Sequence, residues 1–77
     1  MVIYLEFFNG QYTLTEALAL DVDKVSPGTI NGAQKLLTIQ HRLYRYSGDS
    51  RPVPMLIVRI HMEFTRTLGP TLRVLSR

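Results

Sequence analysis

There is no cysteine in this chain of 77 residues. That removes disulfides and every thiolate-ligated zinc site, and it sets the chain apart from small secreted domains stapled by cystine bridges. No apolar run approaches the roughly eighteen residues that a membrane-spanning helix needs, so no membrane partner is expected. Met1–Phe8 has no basic residue ahead of its apolar run and carries Glu6 within it. It is therefore not read as a secretory signal, and the expected location is the cytoplasm, or the host-cell cytoplasm for a viral source. A glycine-rich phosphate loop is also missing, because Gly10, Gly28, Gly32, Gly48 and Gly69 are scattered as turn residues. Charge is scarce: charged residues make up 19% of the chain and apolar ones 45%, against roughly 25% charged in an average soluble protein. A domain this small buries only about 60% of the surface its unfolded chain exposes. With no disulfide and little charge, part of its apolar surface is expected to be covered by another copy, so a homo-oligomer is expected.

The charge that is present is unevenly placed. Residues 1–34 carry Glu6, Glu16, Asp21 and Asp23 against Lys24, a net of −3. Residues 35–77 carry Lys35, Arg42, Arg45, Arg51, Arg59, Arg66, Arg73 and Arg77 against Asp49 and Glu63, a net of +6. Arginine's planar fork matches phosphate and carboxylate and stacks on flat rings, which lysine's point charge does not. The second half is therefore suited to an anionic partner.

The chain reads as one small domain over residues 1–77. Residues 2–8 pattern as a strand with Ile3, Leu5 and Phe7 on one face, and the other face is apolar enough for a central position. The next segment supports two readings. Asn9-Gly10 suits a two-residue hairpin turn, and Tyr12 to Val22 alternate as a strand would. Thr13-Leu14-Thr15-Glu16 fits a capping box, and Leu14, Ala17, Leu18, Asp21, Val22 and Val25 follow helical spacing, which favours a short helix. Ser26-Pro27-Gly28 marks a turn. A second helix is expected from near Ala33 to about Gln40, giving way to extended chain over 41–46. Ser47–Pro52 is the clearest loop, and Pro52 and Pro54 predict an extended approach to the next element. Residues 55–64 then read as a strand, with Leu56, Val58, Ile60, Met62 and Phe64 on one face and Arg59, His61 and Glu63 on the other. Residues 69–77, after Gly69-Pro70, read as a flexible or partner-docking tail.

Three groupings could carry chemistry. In His41-Arg42-Leu43-Tyr44-Arg45-Tyr46, basic and aromatic residues interleave, as on surfaces that pair phosphates with guanidinium groups and stack bases on rings. In extended chain, Arg42, Tyr44 and Tyr46 would share a face; the plainer reading is an amphipathic edge with solvated arginines. On the 55–64 strand, Arg59, His61 and Glu63 would stand about 7 Å apart. An imidazole between carboxylate and guanidinium could serve as an acid–base centre, although neighbouring opposite charges on a solvated face are commoner. Asp21 and Asp23 could hold magnesium beside phosphates, but Lys24 and the lack of a third acid argue against it. Two histidines alone are too few for a structural zinc, so no cofactor or metal is expected.

The order of strand, helical middle and basic strand at 41–51 followed by 56–66 resembles that of bacterial toxin-type, ribosome-dependent mRNA interferases. The resemblance covers the C-terminal part of the chain and rests on arginine, tyrosine and apolar alternation rather than a strict motif. It implies RNA binding and cleavage, with Arg45, Arg51, His61 and Arg66 as the candidates.

The favoured expectation is an α+β fold: an antiparallel sheet with strands near 2–8 and 55–64 and a further candidate at 41–46, plus one or two short helices in 13–40. A mostly β fold is the alternative. The expected function is a small non-enzymatic binding module that self-associates and presents Arg42, Tyr44, Arg45, Tyr46, Arg51 and Arg59 to an anionic partner, either RNA or DNA or an acidic protein. The alternatives are a small interferase-like ribonuclease using His61, Arg59 and Glu63, or a viral or phage assembly protein.

Overall fold

A computed structural model of the chain describes residues 2–8, 10–25, 28, 30–68 and 73–77. Strand β1 (Ile3–Phe7) is the middle of a three-stranded antiparallel sheet, flanked by β2 (Gly10–Thr13) and β3 (Arg73–Ser76) in the order β2-β1-β3. The inward set Ile3, Leu5 and Phe7 is buried, as its two-residue period requires. On the outer face, Glu6 accepts from Gln11 at 3.0 Å and from Arg73 at 3.3 Å. Arg77 stands 5.6 Å from the centre of the Tyr4 ring.

After β1 the hairpin forms one residue earlier than Asn9-Gly10 suggests, the strand alternation expected over 12–22 ends at Thr13, and the favoured short helix follows as two pieces rather than one. Phe7 pairs with Gly10, so the chain reverses as a hairpin, with Phe8 at a positive φ of 51°; Asn9 lies outside the described residues. The Tyr12 ring lies where a Gly10 side chain would project, and it packs against Phe7. The strand ends at Thr13 because Thr13 caps the next helix, α1 (Leu14–Leu18). Its hydroxyl accepts from the Glu16 N–H at 3.2 Å, while its own N–H donates to the Glu16 carboxylate at 3.0 Å. A four-residue turn, α2 (Val22–Val25), follows; Asp21 accepts the Asp23 N–H at 2.9 Å.

Helix α3 (Ile30–Leu43) begins earlier and ends later than the expected 33–40. Asn31 and Gly32 sit in its first turn, where backbone N–H groups lack intrahelical partners in any helix. A 3₁₀ turn, Tyr44–Tyr46, continues it, so the extended chain expected over 41–46 is corrected. The strand expected at 55–64 is corrected too: those residues lie within α4 (Val53–Leu68). The Pro52 carbonyl accepts from the N–H groups of Met55 and Leu56 at 3.0 and 3.1 Å. The first helical turn tolerates Pro54, which has no N–H to lose. Leu56, Ile60 and Phe64 recur every four residues and are all buried, a helical period that the alternating apolar pattern concealed. The third strand is β3, within the segment read as a tail.

The core joins Ile3, Leu5 and Phe7 to Ala17, Leu36, Ile39, Leu43, Tyr46, Leu56, Ile60 and Phe64. Each large side chain buried there stabilises by about 1.5–3 kcal/mol relative to exposure. Gln40 ties the α1 end to α3, donating to the carbonyls of Ala17 at 3.2 Å and Leu20 at 2.8 Å. The α+β class with an antiparallel sheet holds. Among the described residues no helix is long and apolar enough to cross a membrane.

Candidate anion-binding cleft

Helical periodicity, rather than strand alternation, decides which charged residues meet. Arg42, Arg45 and Tyr46 lie at spacings of three and four residues across the end of α3 and the 3₁₀ turn, so they share a face. On α4, Arg59, Glu63 and Arg66 are spaced four and three apart and share another. The two faces meet in an open cleft of about 370 Å³ lined by these six residues together with Met62 and Thr67.

Glu63 is the centre of the cleft. Its Oε1 accepts from Arg42 Nη1 at 3.4 Å and lies 3.5 Å from Arg45 Nη1. Its Oε2 accepts from the Tyr46 hydroxyl at 2.5 Å. Burial first, and then the Glu63 carboxylate, push the Tyr46 hydroxyl above the ordinary tyrosine range, while Arg45 and Arg51 pull the other way. Tyr46 therefore stays protonated and keeps donating through neutral pH.

The cleft is electrostatically unbalanced. Four guanidinium groups face one carboxylate, a net of +3. Neither Arg59 nor Arg66 has an ion-pair partner among the described residues. Arg42 Nε is buried without a hydrogen-bond acceptor, and a buried donor left in that state costs about 1–3 kcal/mol. Guanidinium groups converging from two helices can take several oxygens of one phosphate or carboxylate at once.

Of the residues singled out from sequence, the structure brings together Arg42, Arg45, Tyr46 and Arg59. Arg51 is engaged elsewhere: its backbone N–H donates to Asp49 at 2.9 Å and its guanidinium grips the same carboxylate. Those hydrogen bonds hold the Asp49 carboxyl at about 2. Tyr44 is exposed and does not line the cleft, because on a helical path it diverges from Arg42 and Tyr46. His61 is exposed on α4, two residues and about 200° around the helix from both Arg59 and Glu63. The shared strand face on which an Arg59–His61–Glu63 centre depended does not exist.

Glu63 as the organiser of the arginines, with Arg66 completing them, was not read from the residues alone; the interferase resemblance was the only source that raised Arg66. The spacing 59, 62, 63, 66 was the available signal. Asp21 acts as a cap, and no group of three or more potential metal ligands occurs among the described residues. The strand order behind the interferase resemblance is also absent, since 41–46 and 56–66 are helical. Searches of protein-family models, curated proteins and solved structures find no match to the chain.

Proposed function

We propose that the chain is a non-enzymatic binding module that self-associates and takes the phosphate groups of a single-stranded nucleic acid into the arginine cleft. The observation that carries this reading is the excess of three positive charges around Glu63, with Arg59 and Arg66 free of ion-pair partners among the described residues. The groove between α3 and α4 gathers its four guanidinium groups in one open cleft of about 370 Å³ rather than along the extended face a duplex requires. The ribonuclease reading lacks comparable support, because His61 stands apart from the arginines and the carboxylate.

The test is fluorescence anisotropy of a labelled mixed-sequence single-stranded oligonucleotide between 50 and 200 mM salt. Phosphate contacts lower log K with log salt at about −0.7 per phosphate on a single strand, so three contacts give a slope near −2. Replacing Arg59 and Arg66 by alanine is expected to weaken binding and flatten that slope. Binding that ignores salt, or that survives the double substitution unchanged, would sink the reading. Preferential competition by polyglutamate over oligonucleotide would redirect it to an acidic protein.

A further inference from the structure

The arginine cleft has an apolar wall that runs on past it. Met62 lines the cleft beside Arg59 and Arg66, yet it is 55% exposed, and Val58 and Met55 are 57% and 48% exposed. These three residues recur every three or four positions along α4, so they form one ridge. At about 100° per residue, Val58 lies about 160° around the helix from buried Ile60, which turns the ridge outward. Met62 stands about 60° from Arg59 and about 40° from Arg66, so the apolar strip and the basic strip adjoin. From Met55 to Met62 the ridge rises about 10 Å, the rise of about three stacked bases. Exposed His61 and Thr65 border its other side. Glu63, the one acid of α4, is turned to Tyr46 and the arginines. Apolar residues exposed singly are ordinary, but a row of them rimmed by charge marks a contact surface.

We propose that this ridge takes the bases of the strand whose phosphates lie among the arginines, which rests on the nucleic-acid reading above and adds the second half of its site. A nucleotide carries an anion and a flat apolar ring side by side, and α4 offers the matching pair of strips. Two of the three ridge residues are methionines. Their thioether sulfurs are attracted to the edges of aromatic rings, and their unbranched chains re-pack around rings of different size. The ridge carries no strong hydrogen-bond donor or acceptor that could read a base edge, so the contact is indifferent to sequence. Salt weakens phosphate binding and leaves apolar contact with the rings largely untouched, so the two halves of the site separate in solution.

The test compares a mixed-sequence single-stranded oligonucleotide with an abasic chain of the same number of phosphates, by fluorescence anisotropy over a range of salt. Wild type is expected to hold the oligonucleotide about tenfold more tightly than the abasic chain, with that ratio constant as salt weakens both. Met55→Gln/Val58→Gln changes two exposed residues that do not line the cleft, and it keeps the charge. It should bring the ratio close to one and leave the salt slope as it was. If circular dichroism shows that this variant has lost its cooperative thermal transition, Met55→Gln alone should lower the ratio about threefold. Equal binding of the two chains by wild type, with the salt dependence kept, would overturn the base contact and leave the phosphate cleft standing. No binding of either chain would overturn both. A ratio that survives Met55→Gln/Val58→Gln would overturn the ridge as the base-binding surface, and loss of self-association by that variant in light scattering would then give the ridge to a second copy. A leucine-bearing acidic peptide that binds more tightly than the oligonucleotide, and weakens in the variant, would give it to a protein.

Discussion

Replacing Glu63 by glutamine should lower the stability of the domain and at the same time tighten its hold on an anion. The amide matches the carboxylate in shape and can still accept from the Tyr46 hydroxyl, so the packing between α3 and α4 survives. What disappears is charge. The contacts with Arg42 and Arg45, at 3.4 and 3.5 Å, are long, and both arginines are partly exposed, so each pair contributes no more than about 0.5 kcal/mol. The Tyr46 hydrogen bond, 2.5 Å to a charged acceptor, falls to roughly half its strength with a neutral one, a loss of about 1 kcal/mol. The combined cost is about 1–2 kcal/mol, or a fall in melting temperature of roughly 5–15 °C for a domain of this size. Binding moves the other way. A negative charge about 6 Å from a bound phosphate opposes it by about 0.7 kcal/mol at the dielectric of water and about 2.8 kcal/mol at an effective dielectric of 20. Its removal should therefore strengthen oligonucleotide binding by roughly 3- to 100-fold at low salt. Thermal unfolding followed by circular dichroism and anisotropy titration read the two effects separately. A Glu63→Gln protein that melts like wild type, or that binds more weakly while still folded, would contradict the role of Glu63 as the charge that both ties α3 to α4 and opposes an anion in the cleft.

Asp49 titrates at about 2 when folded against an ordinary value of 3.8, so its depressed pKa adds stability that is fully present above about pH 5 and is lost as the pH falls toward 2. The stability gap between wild type and Asp49→Asn, measured by urea unfolding, should therefore shrink as the pH drops from about 5 to 2; a constant gap would contradict the Arg51 pairing. Thr13→Ala removes the hydroxyl half of the capping box and should cost about 1 kcal/mol by the same assay, whereas no cost would mean that Glu16 alone holds the α1 start. Phe64→Ala should cost about 3–5 kcal/mol, enough to unfold much of a domain this small at 37 °C, and a mild effect would argue against the α4 core face.

Local signals were legible in the sequence where they were chemically specific. The apolar faces of β1, the hairpin at Gly10 and the capping box at Thr13 each depend on neighbours within a few residues. Residues 53–68 were not legible because Leu56, Val58, Ile60, Met62 and Phe64 satisfy a period of two, while Leu56, Ile60 and Phe64 satisfy a helical one equally well. Length was the better guide: the apolar patterning of residues 55–64 already exceeds an ordinary strand, and helices of ten or more residues are common. Strand β3 escaped notice because four residues after a Gly-Pro pair carry almost no signal of their own, and their order comes from pairing with distant β1. The candidate site suffered from the same ambiguity of period. Arg42, Arg45, Tyr46 and Arg59 were chosen for their chemistry, but Glu63 joins them, and Tyr44 and His61 leave them, only once the chain is wound at about 100° per residue.

The central claim, that the α3–α4 cleft is built to hold an anion, is tested most directly by the arginine Nε–H resonances of ¹⁵N-labelled protein titrated with unlabelled single-stranded oligonucleotide. The signals of Arg42, Arg59 and Arg66 are expected to move together and to return to their starting positions as salt is added. An anion site in that cleft is contradicted if those signals stay still, or if only Arg73 and Arg77 on the sheet respond.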